Sequence, residues 1–360
     1  MKQYKVGIIG ATGMVGQRFV ALMEHHPWFT LTTVAASPRS AGKTYAEAVE
    51  GRWAMETPIP SAAKDLIVLN AEADIQKVVA EADFVFSAVD MKKEEIFALE
   101  EAYAQAECPV VSNNSAHRWT PDVPMLIPEL NAQHAEVVDA QRKRLGTTRG
   151  FISVKSNCSL QSYMPALYPL HEKYGLDKAL VCTYQAISGA GKTLDSAPEI
   201  TDNVIPYIGG EEEKSEREPL KLFGTVKDGA IEIANSPSIT AQCVRVPVSD
   251  GHLAAVFLSF ADGTRKPSVD EIKACWAAVS AKGLDLPSAP KQFLHYFEEE
   301  NRPQTRLDRN LEHGMAISVG RLRPDTQYDY KFICLSHNTL RGAAGGAVLM
   351  AELLCQKGYI

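Results

Sequence analysis

No stretch of this chain is long and apolar enough to cross a bilayer, and no run of Lys and Arg is long enough to track a phosphate backbone. With 37 basic and 44 acidic residues the formal net charge is −7, so nucleic acid is not an expected partner and only small anions at local basic sites remain. The seven cysteines are odd in number and lack any C-x-x-C pair, which argues against a disulfide framework and a zinc site and for a reducing compartment; no metal is expected. Internal repeats and low-complexity tracts are missing too. The opening run Met1-Lys2-Gln3-Tyr4-Lys5-Val6 leads straight into a predicted strand, leaving no room for a signal peptide, so the expected location is the cytoplasm. What is present is a chain of 360 residues, 45% hydrophobic and 22% charged, enough for two domains.

The N-terminal pattern is strand, glycine turn, helix. Tyr4 to Ile9 is a short apolar run, followed by Gly10-Ala11-Thr12-Gly13-Met14-Val15-Gly16 and a helical pattern through Phe19, Val20 and Met23. Glycines there let backbone approach a pyrophosphate, and free N–H groups at the helix start bind the anion; the spacing departs from strict G-x-G-x-x-G, and a tight structural turn is the alternative reading of such a run. Phe29 to Ala36 reads as the second strand. Where an NAD-binding protein carries Asp or Glu, this chain has Ser37-Pro38-Arg39-Ser40, whose guanidinium and hydroxyls suit a 2′-phosphate that a carboxylate would repel. The expected cofactor is NADP.

Further strands are predicted at Leu66 to Leu69, Phe84 to Val89 and Pro109 to Ser112, with helices at Asp74 to Glu81 and Lys93 to Ala104. This alternation implies an α/β fold with an N-terminal, doubly wound, Rossmann-type parallel sheet. The small residues that end Phe84-Val85-Phe86-Ser87-Ala88 suit a loop over the cofactor. Later strands are expected at Ala179 to Ala186, Gly229 to Ala234, Gln242 to Val248, Leu253 to Phe260 and Tyr328 to Leu335, with a helix at Ser268 to Ala281, giving a second α+β domain with a mixed or antiparallel sheet. Asp202 to Glu218 and Leu286 to Thr305 read as loops for a subunit contact or lid, and Thr339 to Lys357 as a helix packing back on the first domain. The expected division is 1–156 with 338–360 against 157–337.

Within Ser156-Asn157-Cys158-Ser159, good helix caps precede Leu160, Met164, Leu167 and His171 at helical spacing. Cys158 is therefore expected in a first helical turn, where the dipole favours the thiolate that attacks carbonyl carbon. The other six cysteines lie in or beside apolar stretches and read as core.

Together these landmarks resemble the aspartate-semialdehyde dehydrogenases, in their archaeal and fungal branch. The resemblance spans nearly the whole chain. It is carried by the glycine turn, Ser112-Asn113-Asn114-Ser115-Ala116-His117-Arg118, Ser156-Asn157-Cys158, Gln185-Ala186-Ile187-Ser188-Gly189-Ala190-Gly191, Gly210-Glu211-Glu212-Glu213-Lys214, Arg245-Val246-Pro247-Val248-Ser249-Asp250-Gly251-His252 and Asn338-Thr339-Leu340-Arg341-Gly342. It implies NADPH-dependent reductive dephosphorylation of L-aspartyl 4-phosphate to L-aspartate 4-semialdehyde, toward lysine, threonine and methionine.

The same resemblance implies residue roles. Cys158 forms a thioester, and His252 takes the thiol proton and serves the hemithioacetal oxygen. Gln185 and Asn157 orient the acyl group. Arg245 takes the substrate carboxylate, Arg118 and Lys214 the phosphate, and Glu211 or a neighbouring glutamate the amine. On the cofactor side it implies Gly10, Thr12, Gly13, Met14 and Val15 at the pyrophosphate and Ser37, Arg39 and Ser40 at the adenosine phosphate. Ser87 is expected beside the cofactor, and Ser188, Gly189 and Asn338 at the nicotinamide. Asn113 and Asn114 receive no role. A homodimer or homotetramer through the second domain is implied. Malonyl-CoA reductase, which needs no amine-binding carboxylate, and a non-catalytic NADP-binding regulator remain as alternatives.

Overall fold

A computed structural model describes residues 3–360; Met1 and Lys2 of the opening run lie outside the described residues. Strands β1 (Tyr4–Ile9), β2 (Phe29–Ala36), β3 (Val68–Asn70), β4 (Phe84–Ser87), β5 (Val110–Ser112) and β6 (Ile152–Val154) pair in the order β3-β2-β1-β4-β5-β6, all parallel. The order reverses between β1 and β4. Chain therefore leaves these two strands toward opposite faces, and a crevice opens at their carboxyl ends. Helices α1 (Met14–Met23), α2 (Ile75–Glu81) and α3 (Lys93–Gln105) alternate with the strands. Because helices cover the sheet, its strands are apolar on both faces: every residue of β4 is buried, and Phe19 of α1 stacks on Phe86 with ring centroids 4.5 Å apart.

After β6, helix α4 (Leu160–Tyr174) leads into the second sheet, formed by β7 (Leu176–Gln185), β10 (Ser238–Arg245), β11 (His252–Phe260), β12 (Leu294–Phe297), β13 (Ile317–Pro324) and β14 (Tyr330–Ser336). The strands β8 (Thr225–Lys227) and β9 (Ala230–Glu232) make a separate hairpin. The sheet order is β10-β7-β11-β14-β13-β12, with β10 and β12 parallel to their neighbours and the central pairs antiparallel, so the expected mixed sheet is present. Along β11 burial alternates: His252, Ala254, Val256, Leu258 and Phe260 point inward, and the residues between them lie on the half-covered face.

Three segments differ from expectation. The stretch 202–218 is not all loop, because helix α5 (Glu211–Leu222) starts inside it; Gly210 in left-handed conformation precedes the helix, and Glu211, Glu212 and Glu213 fill its first turn, where carboxylates meet the positive helix end. The stretch 286–305 contains edge strand β12, beyond helix α6 (Val269–Lys282). The C-terminal helix α7 (Ala344–Gln356) starts later than residue 339, because the chain turns tightly first and a Cβ on Gly342 would lie 2.3 Å from the Asn338 carbonyl oxygen. Its Val348, Met350, Ala351 and Leu354 join the core of the first sheet with Phe19, Val20 and Met23, as the reading of 339–357 expects.

Candidate active site

At the crevice, Gly10 (φ +83°) donates its N–H to Ala35 O at 2.8 Å, and a Cβ there would lie 2.3 Å from Ala88 O. Only glycine lets the turn pass so close to β4. A cleft of about 700 Å³ opens beside it, lined by Gly10, Thr12, Gly13, Ser37, Arg39 and Ser40, and also by Lys43, which the sequence reading did not single out. These residues fit a dinucleotide with a 2′-phosphate: a glycine turn at a helix start, then an exposed guanidinium and ammonium after β2, with Ser37 before the arginine and Ser40 between the two. Met14 and Ser188 line an adjoining recess of about 320 Å³. Val15, Ser188, Gly189 and Asn338 line a cavity of about 290 Å³ together with Cys158. Ser87 differs from expectation: its hydroxyl is buried and donates to Glu100 Oε1 at 2.6 Å, while Ala88 and Val89 line the cleft.

Cys158 is half-buried on the segment between β6 and α4, just before the helix and not in its first turn, which begins at Leu160. Asn157 fixes this bend, its Oδ1 accepting the N–H and hydroxyl of Ser159 at 2.8 and 2.7 Å. The Cys158 Sγ lies 3.4 Å from His252 Nε2. His252 opens β11, and its Nδ1 accepts the Ala186 N–H at 3.1 Å. A backbone N–H can only donate, so Nδ1 is unprotonated and the neutral ring carries its hydrogen on Nε2, toward the sulfur. Burial pushes the His252 imidazole down to about 3, with Arg245 and His337 adding to the effect. In this arrangement the neutral ring points its hydrogen at the sulfur. Burial, followed by Glu211, pushes Cys158 up to about 11 against Lys155, Arg118 and Arg245, the direction opposite to the expected lowering.

The remaining expected substrate residues converge here from distant parts of the chain. Glu211 receives Asn157 Nδ2 at 3.0 Å, Gln185 Nε2 at 3.0 Å and Lys214 Nζ at 2.8 Å. Burial works to raise this carboxyl, but Lys214 and the two amides outweigh it and hold it below the ordinary range. Asn157 and Gln185 therefore hold a carboxylate instead of leaving amides free for an oxyanion, because a buried carboxylate draws the nearest donors. The three glutamates lie apart: Glu211 is buried at the cavity, Glu212 bonds Gln242 outside it, and Glu213 pairs with Arg217 in solvent. Arg118 lies in the wall, its NH1 2.9 Å from Glu218 Oε1 and its Nε 2.9 Å from Lys155 O. Arg245 NH1 donates to Ala186 O at 2.8 Å, and Asn338 links Gly251 N–H at 2.8 Å to Ser188 Oγ at 2.9 Å.

Two buried charges escaped the sequence reading. Glu218 accepts the Asn157 N–H at 2.7 Å as well as Arg118, tying the cysteine segment to an anion-binding arginine. Glu211 and Glu218 are seven residues apart, hence on one face of α5, and recognising the helix would have exposed the pair. Lys155 is buried three residues before Cys158.

The description "Semialdehyde dehydrogenase, NAD binding domain" matches residues 5–138, and "Semialdehyde dehydrogenase, dimerisation domain" matches residues 167–341. The chain is similar to aspartate-semialdehyde dehydrogenase from Archaeoglobus fulgidus, 44% identical over 99% of this chain and 100% of that one. It is also similar to that from Saccharomyces cerevisiae, 42% identical over 98% of each. The crystal structure of aspartate semialdehyde dehydrogenase with NADP from Candida albicans superposes with a TM-score of 0.88, at 38% identity and full coverage of both chains. A crevice with a glycine turn, a cysteine–histidine pair beyond it and this similarity over the full length lead to one conclusion: the chain belongs to the aspartate-semialdehyde dehydrogenase family.

Proposed function

We propose that the protein is an NADP-dependent aspartate-semialdehyde dehydrogenase that carries L-aspartyl 4-phosphate to L-aspartate 4-semialdehyde and phosphate through a thioester on Cys158. The observation that carries the reading is the 3.4 Å approach of Cys158 Sγ to His252 Nε2 in a cavity walled by Arg118, Glu211 and Lys214.

The residues divide the work by charge. Arg245, with no carboxylate partner among the described residues, takes the substrate α-carboxylate, a planar anion suited to a guanidinium. Glu211 takes the α-amino group, displacing Lys214, whose freed ammonium joins Arg118 on the phosphate. The Cys158 sulfur attacks the acyl carbon, the carbon–sulfur bond forms, and the carbon–oxygen bond to phosphate breaks. Bound NADPH supplies the hydride that reduces the acyl carbon. The Nε2–H of His252 donates a hydrogen bond to the oxygen that gains charge after hydride addition, and collapse of that tetrahedral alkoxide re-forms the carbonyl as the carbon–sulfur bond breaks, freeing the aldehyde and the Cys158 thiolate. Gln185 and Asn157 act one step back by holding Glu211 in place.

In this reading residues 1–156 with 338–360 hold most of the cofactor, with Gly10, Thr12, Gly13, Met14 and Val15 at the pyrophosphate, Ser37, Arg39 and Ser40 at the 2′-phosphate and Asn338 at the nicotinamide, where Ser188 and Gly189 join it from the second domain. Residues 157–337 supply the chemistry and the subunit contact. The half-covered face of the second sheet supports a homodimer or homotetramer: Leu180, Leu253, Ala255, Phe257 and Ile333 lie there beside Tyr184, which is 40% exposed. The absence of any C-x-x-C pair among the seven cysteines supports a cytoplasmic location.

The test follows NADPH formation from L-aspartate 4-semialdehyde, NADP and phosphate, beside a parallel assay of malonyl-CoA with NADPH. Turnover of the semialdehyde alone is the expected result. Turnover of malonyl-CoA alone would keep the cysteine chemistry and replace the substrate, and silence in both would favour a regulator that only binds cofactor.

A further inference from the structure

Arg341 lies on the turn between β14 and α7 and is 1% exposed. Its guanidinium forks onto Glu129, NH1 to Oε1 at 2.7 Å and NH2 to Oε2 at 2.5 Å, and its Nε donates to Gln161 Oε1 at 3.2 Å. The Phe293 ring covers it, with 4.6 Å from Cζ to the ring centroid. A guanidinium only donates, so the amide oxygen of Gln161 faces Arg341 and the amide nitrogen is left for another partner. Gln161 Nε2 donates to Ser156 Oγ at 2.8 Å. Ser156 stands two residues before Cys158 and lines the same cavity.

The backbone around Arg341 forms another part of that cavity. Asn338, Thr339, Gly342 and Ala343 line it, and Asn338 is the residue that links Gly251 to Ser188. This turn is held by the Arg341 N–H on Gly314 O at 3.3 Å and the Gly342 N–H on His337 O at 2.9 Å. Glu129 belongs to the segment between β5 and β6, whereas Gln161 lies in the first turn of α4, which leads into the second sheet. One side chain therefore bonds to both sides of the joint. A buried ion pair is in itself weak evidence of stability, but a forked one fixes the register of the segments it joins; a lysine, as a single point charge, could not serve Glu129 and Gln161 in the same way.

We infer that Arg341 is a positioning residue for hydride transfer: it holds the turn of Asn338 and, through Gln161 and Ser156, the segment of Cys158, and so sets the distance between the nicotinamide and the acyl carbon. This role rests on the proposed reaction through Cys158. In the oxidative direction the thiohemiacetal carbon on Cys158 gives a hydride, with its electron pair, to NADP while its hydroxyl loses a proton, leaving a thioester and NADPH. Such a transfer depends steeply on placement, by about 10²-fold for a shift of about 1 Å. Dinucleotide binding in the cleft beside Arg39, and access of a small reagent to the sulfur, do not depend on that distance.

The test mixes the full-length protein with L-aspartate 4-semialdehyde and NADP, without phosphate, and times the first burst of NADPH with hydrogen or deuterium at the aldehyde carbon. Gln161→Met keeps the fork on Glu129 and removes the link to Ser156; Arg341→Lys breaks the fork. In both the burst should slow about tenfold or more, and deuterium should slow it further. NADP affinity by calorimetry and Cys158 alkylation by iodoacetamide should stay within about twofold of the unaltered protein. An unchanged burst in Gln161→Met would overturn the role, and so would a slowing matched by equal losses of affinity or alkylation, which general loosening gives. If Arg341→Lys does not fold, Gln161→Met decides. No burst in the unaltered protein would overturn the proposed reaction and this role with it, whereas a burst there that neither variant slows would overturn the role alone.

Discussion

The Ala186 N–H donates to His252 Nδ1 at 3.1 Å, and this one bond decides which hydrogen His252 can offer to Cys158. The neutral ring presents Nε2–H to the sulfur, so its contribution falls at the oxygen that gains charge after attack. His252→Gln should lower kcat by about 10² to 10⁴ while leaving KM and the alkylation rate of Cys158 within severalfold. A collapse of alkylation in that variant would instead make the ring the base for the thiol.

Gly189 shows how little room the pair has. A Cβ at this position would lie 3.0 Å from Arg245 NH1 and 3.1 Å from His252 Nε2, tighter than ordinary packing. Gly189 is exposed and its φ is not in the left-handed region, so Gly189→Ala should leave thermal unfolding nearly unchanged. Displacing the two side chains should lower kcat/KM by about 10-fold or more. Unaltered kinetics would mean that Arg245 and His252 do not need their observed positions.

Glu218 joins Arg118 and the Asn157 N–H beneath the cavity. Glu218→Gln keeps the shape but removes the charge that balances a buried guanidinium. Urea unfolding should show a loss of about 1–3 kcal/mol, and KM for phosphate should shift because Arg118 loses its anchor. Stability and phosphate KM both equal to the unaltered protein would remove Glu218 from the account.

Cofactor choice rests on the loop after β2, where Arg39 and Lys43 line the cleft and no carboxylate takes the usual ribose position. Arg39→Ala should weaken NADP binding by about 1.5–3 kcal/mol, the range of a charged hydrogen bond, and spare NAD, measured by calorimetry with each dinucleotide. Equal losses for both would place the arginine away from the 2′-phosphate.

Much of this fold was legible because its strands and helices obey simple periods. The run Tyr4–Ile9, the glycine turn and the helix through Phe19 and Met23 occur where the pattern puts them, and β11 alternates as a half-covered strand should. Strands β6 and β12 were missed although β3, β4 and β5 are as short, and β13 was missed since Gly320, Arg321 and Arg323 break its alternation. The acidic run before Ser215 reads as solvated surface until tertiary packing buries Glu211 and Glu218 against the cysteine segment. Cys158, Glu211, Arg245 and His252 are joined by no local period; their order within a resembled pattern connected them, and the fold brings them together. The expected lowering of the Cys158 thiol came from a helix start, whereas Cys158 precedes that start and burial with Glu211 pushes the thiol up.

The central claim is that chemistry passes through a covalent bond to Cys158. The most direct measurement mixes the protein with L-aspartate 4-semialdehyde and NADP, without phosphate, and follows both NADPH absorbance and the mass of the Cys158 peptide. The account predicts a rapid burst of one NADPH per site and an aspartyl adduct on that peptide, discharged when phosphate is added and lacking in Cys158→Ala. Sustained turnover in Cys158→Ala, or a burst with no adduct at Cys158, would contradict it.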